Sequence, residues 1–342
     1  MFRHSALALT ASAFVLAACA DSSTITESTR ALSPSSGASA DATPINPRHE
    51  MLTLPAAAAD EAKPGGSHGG GGGSSGNNIF YHGGRVLRAG TNVTAVYWAS
   101  STIYNNGPTP GTSGPGSADN SLVGYFLSHI GGSSYFNINT SYTDGSGAAI
   151  ANVVNYTRYW ANNQFNPPSG STSVTDAQIV AMLQYGFDQG FLAYDANTLY
   201  AVFTSGTVNL GGYFGTSYCA YHTGGTVTVN GVSRRVLYAA MPFDNALPGV
   251  CTSGTASPNG DADADAEVNT LAHETEETTT DADLNAWFDH RGSENADKCV
   301  WKFGTKYTTS NGGVANMLIG TKDFLVQQNW VNASGGFCAL TF

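Results

Sequence analysis

Acidic residues are spread so unevenly along this chain that their placement limits the fold before any other feature does. Twelve of the 25 aspartates and glutamates fall in the 37 positions from Asp261 to Asp297, while charged residues make up only 11% of the whole. Carboxylates this dense repel one another unless solvent, hydrogen bonds or cations screen them. Whatever the segment folds into has to supply that screening. The formal net charge of −11 argues against a nucleic-acid partner and favours a cation or a neutral substrate.

The segment reads as a helix. Asp261, directly after Pro258-Asn259-Gly260, is a fitting N-cap for a helix over 262–280. Asp263 and Asp265 complement the dipole in its first turn, and Val268, Leu271 and Ala272 mark its inner face. The alternating acids Asp261, Asp263, Asp265 and Glu267 also resemble a calcium loop, but the glycine such a loop needs at its turn is missing. Glu276 reads as surface charge.

On that helix His273 and Glu277 stand four residues apart, one above the other, and can grip one cation. Glu274 projects about 100° further round the axis, where a carboxylate can act as general base on metal-bound water. This is an HExxH pattern with its second histidine replaced by Glu277. A histidine with carboxylates suits zinc, the expected ion, and also manganese, iron or, with more oxygens, calcium. A third ligand is expected beyond the helix, from Glu294 or Asp297, with Asp281 as a further ligand or an acceptor for the imidazole N–H. The run Leu271-Ala272-His273-Glu274, with Thr280-Asp281 and an acid 21 or 24 residues after His273, resembles the active-site helix of thermolysin-like gluzincin peptidases. The competing reading is a solvated acidic helix with a chance histidine.

The N-terminus has the form of an export signal: a short polar start at Arg3 and His4, then an apolar stretch from Ser5 to Ala18. It is too short to span a membrane as a mature helix. Leu16-Ala17-Ala18-Cys19 resembles a bacterial lipoprotein box, which implies a signal peptide over 1–18, lipidation at Cys19 and a membrane held through that anchor. An ordinary signal peptide cleaved nearby is the alternative. Residues 19–77 are rich in Ser, Thr, Ala, Pro and Gly, end in GGSHGGGGGSSGNN, and read as a disordered tether. The single folded domain is expected over 78–342.

Setting Cys19 aside leaves Cys219, Cys251, Cys299 and Cys338, an even number in an oxidising compartment. Three pairings are open. The sequence-local one, Cys219 with Cys251 and Cys299 with Cys338, is preferred, and no CxxC spacing supports a cysteine-ligated zinc site. His222, close to Cys219, could approach the site from an adjacent strand, but reads first as a structural histidine beside a disulfide.

Strands are expected at Thr91 to Ala99, Tyr135 to Tyr142, Ala149 to Tyr159, Thr198 to Thr204, Ser217 to His222, Thr226 to Val229 and Arg235 to Pro242. Asn230-Gly231 signals a hairpin. Helices are expected over about 118–130, 175–189 with Thr175-Asp176 capping, and 321–328. The alternation gives an α+β class: a mixed sheet flanked by helices, a zincin-like helix at the site and two disulfides.

Several segments together resemble the phosphate-induced protein, or EXORDIUM-like, family of secreted proteins. They are Tyr81-His82-Gly83-Gly84 before a Trp-containing strand, Tyr218-Cys219-Ala220-Tyr221-His222, Leu247-Pro248-Gly249-Val250-Cys251 and Ser257-Pro258-Asn259-Gly260-Asp261. They run in the family's order across most of 79–342. In plants the resemblance implies cell-wall or apoplastic growth and nutrient responses, without an established catalytic activity. Two functions are therefore expected. One is an exported, lipid-anchored metal-dependent hydrolase acting on a peptide or a cell-wall polysaccharide, with Glu274 as base and His273, Glu277, Glu294 and Asp297 around the ion. The other is a non-catalytic cell-wall or extracellular binding protein at the cell envelope or beyond it.

Overall fold

A seven-stranded mixed sheet organises the described residues of the computed structural model, which are 49–53, 57, 78–170, 172–211 and 213–342. The expected signal peptide, the lipidation site Cys19 and most of the tether lie outside the described residues. The strands are β1 (His49–Leu52), β2 (Thr91–Trp98), β3 (Ser113–Pro115), β4 (Val154–Asn162), β5 (Thr198–Phe203), β6 (Tyr218–Val229) and β7 (Val232–Met241). Their order across the sheet is β1-β6-β7-β5-β2-β4-β3. The four central strands β7, β5, β2 and β4 are mutually parallel, and the outer pairings are antiparallel. Parallel strands are covered on both faces, which is why β2 and β5 read as continuous apolar runs.

Three helices supply that cover: α1 (Leu122–His129), α2 (Asp176–Asp188) and α3 (Ala262–Thr280). Each begins where its sequence provides a cap. The Ser121 side chain accepts from the Gly124 N–H, Thr175 and Gln178 form a reciprocal capping box, and the Asp261 side chain accepts from the Ala264 N–H. One face of the sheet, carrying Val93, Ala95, Tyr97 and Ala201, packs on α1 and α3. The other, carrying Val96, Trp98, Tyr200 and Val202, packs on α2. The result is the expected α+β arrangement of a mixed sheet flanked by helices, with disulfides Cys219–Cys251 and Cys299–Cys338. Asn230 (φ 52°) and Gly231 (φ 74°) turn β6 into β7, and two positive φ values in a two-residue loop are what the Asn-Gly signal requires.

Three expectations are corrected. Residues Phe136–Ser141 form a 3-10 helix rather than a strand. The hydroxyls of Ser133, Thr140 and Ser141 donate to the carbonyls of Ile130, Asn137 and Ile138, a local bonding that competes with a ladder. The helix expected over 321–328 is instead a strand, Lys322–Phe324, paired with Met317–Ile319 around Gly320 at φ 62°. Within the expected tether, His49–Leu52 is an edge strand: β1 satisfies the outer side of β6, with His49 opposite His222 and Met51 fully buried. It is held further by Trp301, whose indole Nε1–H donates to the Leu52 carbonyl at 2.8 Å.

Candidate metal centre

From Glu267 to Thr280 every residue of α3 is buried, none more than 4% exposed. An acidic, threonine-rich helix surrounded on all sides is unusual, because a buried carboxylate is costly unless paired, protonated or bound to a cation. The threonines are accommodated locally: the Thr275 and Thr279 hydroxyls donate to the Leu271 and Thr275 carbonyls at 2.7 and 2.6 Å. The carboxylates are not accommodated in that way. Glu276, expected at the surface, is 0% exposed. Its carboxyl is pushed well above the ordinary range by burial, with the Asn139 side chain partly opposing.

The helix start behaves as its sequence implies. Asp265 Oδ2 accepts from the Asn259 N–H at 2.9 Å, and Asp263 Oδ1 accepts from Asn245 Nδ2 at 2.7 Å. At the other end Asp281 Oδ1 accepts from the Asn285 and Ala286 N–H groups at 2.6 and 2.7 Å, which closes α3 and anchors the chain that follows.

Between these ends, three elements converge on Glu277. On α3 itself, His273 Nε2 is 3.1 Å from Glu277 Oε1, the i,i+4 contact the motif predicts. From the turn after the helix, Asp297 Oδ1 is 3.5 Å from His273 Nε2, and the Asp297 N–H donates to Glu277 Oε1 at 3.0 Å. From the sheet, His222 Nε2 is 3.6 Å from Glu277 Oε2 and 3.5 Å from Glu294 Oε2. His222 points this way because β6 alternates: Ala220 faces the α3 core and Tyr221 faces α2, so His222 returns to the α3 side.

The turn that carries Glu294 and Asp297 is fixed from both directions. The Glu294 N–H donates to Asp297 Oδ2 at 3.2 Å, Gln327 Nε2 donates to the Ala296 carbonyl at 2.9 Å, and the turn runs into Cys299, disulfide-bonded to Cys338.

Donor atoms fall into two groups that share Glu277: His273, Glu277 and Asp297, and His222, Glu274 and Glu277, each set within 4.8 Å of one another. With zinc–ligand bonds of 2.0–2.2 Å, tetrahedral donors lie about 3.4 Å apart. The histidine contacts, 3.1 and 3.5 Å for His273 and 3.5 and 3.6 Å for His222, fall near that span. Of the expected residues, His273, Glu277 and Asp297 meet directly, Glu294 lies beside His222, and Glu274 joins the His222 side. His222, expected to be structural, is part of the cluster. Its strand period was legible, but the neighbour it faces comes from a remote helix.

The cluster is closed. Side-chain exposure is 0% for His273 and Glu277, 1% for His222 and Glu294, and 13% for Asp297. For His273, burial works to lower the pKa, but Glu277, Asp297 and Glu274 outweigh it and hold the imidazole well above its ordinary value. Glu294 is pushed well up by burial, and further by Asp281, Glu277, Asp297 and Glu274. Both shifts describe a site with an excess of negative charge. The nearby ammonium of Lys298 is bonded to Asp289 at 2.9 Å.

A family model described as phosphate-induced protein 1 conserved region matches residues 128–322, a span that contains His222, His273, Glu274, Glu277, Glu294 and Asp297. No curated protein and no solved structure matches the chain.

Proposed function

The chain belongs to the phosphate-induced protein 1 family, and from that premise we propose that it is an exported metalloprotein whose α3 centre holds a divalent cation, zinc fitting best, for hydrolysis. The observation that carries this reading is His273 Nε2 at 3.1 Å from Glu277 Oε1 and 3.5 Å from Asp297 Oδ1 in an interior where carboxylates outnumber bases. His273, Glu277 and Asp297 would hold the ion, which when bound supplies a Lewis acid and an acidified water. Glu274, within 4.8 Å of His222 and Glu277, would take up the proton. His222 faces the other oxygen of Glu277 at 3.6 Å, with Glu294 beside that histidine, and so helps to orient the carboxylate. A peptide is the first substrate class for this motif, and cell-wall polysaccharide the second. Cys19 would anchor the mature chain in the cell envelope, and the two disulfides fit an exported protein.

The closure of the site favours a second reading. A cation sealed between α3, β6 and the 294–299 turn would tie three elements together without chemistry, in a non-catalytic wall-associated binding protein. Elemental analysis of the purified chain, before and after EDTA, tests the shared premise: stoichiometric metal and a lower melting temperature after chelation are expected. Glu274→Gln separates the two readings. Loss of hydrolysis of a casein or peptidoglycan substrate with metal retained supports the enzyme. Wild-type protein that holds metal and cleaves neither supports the binding protein.

A further inference from the structure

We infer that the centre is built for two divalent cations, the second held between His222 Nε2 and Glu277 Oε2 with Glu294 beside that histidine, and with Glu277 bridging the pair. The inference rests on the metal centre proposed above and extends it.

The geometry of Glu277 is the first argument. Its two oxygens are engaged on opposite sides, Oε1 toward His273 and the Asp297 N–H, Oε2 toward His222. A carboxylate used by one ion alone needs no second histidine on its far oxygen. Here that histidine is present, buried, and 3.5 Å from a further carboxylate oxygen, Glu294 Oε2. The 3.6 Å His222–Glu277 and 3.5 Å His222–Glu294 separations each suit a pair of donors on one ion, and Glu274 stands within 4.8 Å of His222 and Glu277. The second group adds a histidine from the sheet, so it is not a by-product of helical spacing.

Charge is the second argument. Glu274, Glu277, Asp281, Glu294 and Asp297 crowd five carboxyl groups into a space from which water is largely excluded. One divalent ion offsets two negative charges, and a pair offsets four, so a second ion relieves more of this crowding than one ion can. Leaving net charge in the interior is costly, and the alternative is to hold protons on carboxyls that face histidines. Carboxylate-bridged ion pairs about 3.5–4 Å apart are an established way to clamp the attacking and leaving oxygens of a hydrolysis. Glu274 belongs to the same His222 group, within 4.8 Å of His222 and Glu277, and could act as base for a water activated there.

The test is metal stoichiometry on the intact chain, stripped with chelator, reloaded with zinc alone and cleared of excess by gel filtration. Wild type is expected to carry about two zinc ions per chain, His222→Ala about one, and Glu277→Gln almost none. Folding of each variant is checked by circular dichroism. Reloading wild type with cobalt(II) gives a readout free of any variant: a magnetically coupled pair is expected. One ion per wild-type chain, unchanged by His222→Ala and uncoupled as cobalt, would overturn the second site while leaving the single-ion reading intact. No ion at all would remove both.

Discussion

Glu277 Oε2 lies 3.6 Å from Nε2 of His222, so the carboxylate that closes the HExxE motif reaches from a helix to a strand that the motif itself does not name. Both side chains are buried, and the contact joins α3 to the sheet at the point where its acidic half would otherwise be repelled from the interior. The helix and the sheet are thus coupled through the candidate site. Changes at either residue should be felt in metal content and in stability together.

Glu276 tests whether the burial of α3 is real on all sides. Its carboxyl sits in the interior and burial pushes its pKa well up, and Glu276→Gln puts a neutral group of the same shape in its place. The expected change is under about 1 kcal/mol. Glu276→Lys places an unpaired cation there and should cost about 3 kcal/mol or more. Thermal melts of the two variants check this, and equal, small effects would return Glu276 to the surface.

A second buried acidic pair predicts a pH dependence independent of the metal. Asp244 and Glu267 are both fully buried, the Asp244 N–H lies 3.4 Å from Glu267 Oε2, and the Thr270 hydroxyl donates to Asp244. Burial raises both pKa values, and for Glu267 the neighbouring Asp244 adds to it. The folded state therefore holds protons that the unfolded chain gives up above its ordinary carboxyl range. Stability from this pair is complete below that range and declines as pH rises beyond it. The melting temperature of wild type should fall more steeply between pH 5 and 7 than that of Glu267→Gln. Parallel slopes would mean that burial does not raise the pair in the folded state.

The Cys299–Cys338 disulfide closes a 39-residue separation and borders the turn that presents Asp297. Loop closure of that length is worth about 4 kcal/mol in the chain-entropy model. Cys338→Ala in a Cys299→Ala background should lose stability of that order and also weaken zinc binding by tenfold or more. Removal of Cys219 and Cys251, which close a separation of 32, should give a similar stability loss. A calorimetric titration that finds unchanged affinity in the first variant would show that the turn holds its shape without the bridge.

Much of this was legible in the sequence where a local rule acts alone. Asp261 caps α3, Thr175 and Gln178 build a capping box, and Asn230-Gly231 turns the hairpin, because each depends on residues within a few positions. His273 and Glu277 meet for the same reason. What escaped depends on distant partners. His222 could be placed on a strand face but not opposite Glu277, and Glu276 gave no sign that its outward side would be covered by the 3-10 segment containing Asn139. Gly320 was missed as a turn because its neighbours have helical spacing, yet its positive φ starts a hairpin. The strand at His49–Leu52 was hidden by the low-complexity composition around it.

That strand carries its own prediction. Opposite His222, β1 covers the edge of β6, with Met51 and Thr53 buried and the Thr53 N–H donating to the Ser217 carbonyl at 2.8 Å. Met51→Asp should therefore cost about 3 kcal/mol or more by burying a charge. It should also speed the extraction of metal by EDTA, since the β6 edge beside the centre is uncovered. Stopped-flow chelation at equal temperature measures the second effect, and an unchanged rate would separate β1 from the site.

The central claim is that Glu277 is a metal ligand, and anomalous diffraction from crystals of the zinc-loaded chain tests it most directly. The account predicts a difference peak above the zinc edge within coordination distance, about 2.0–2.2 Å, of Glu277 Oε1 and His273 Nε2, absent below the edge. A well-ordered centre with no peak near Glu277 in zinc-soaked crystals would contradict it.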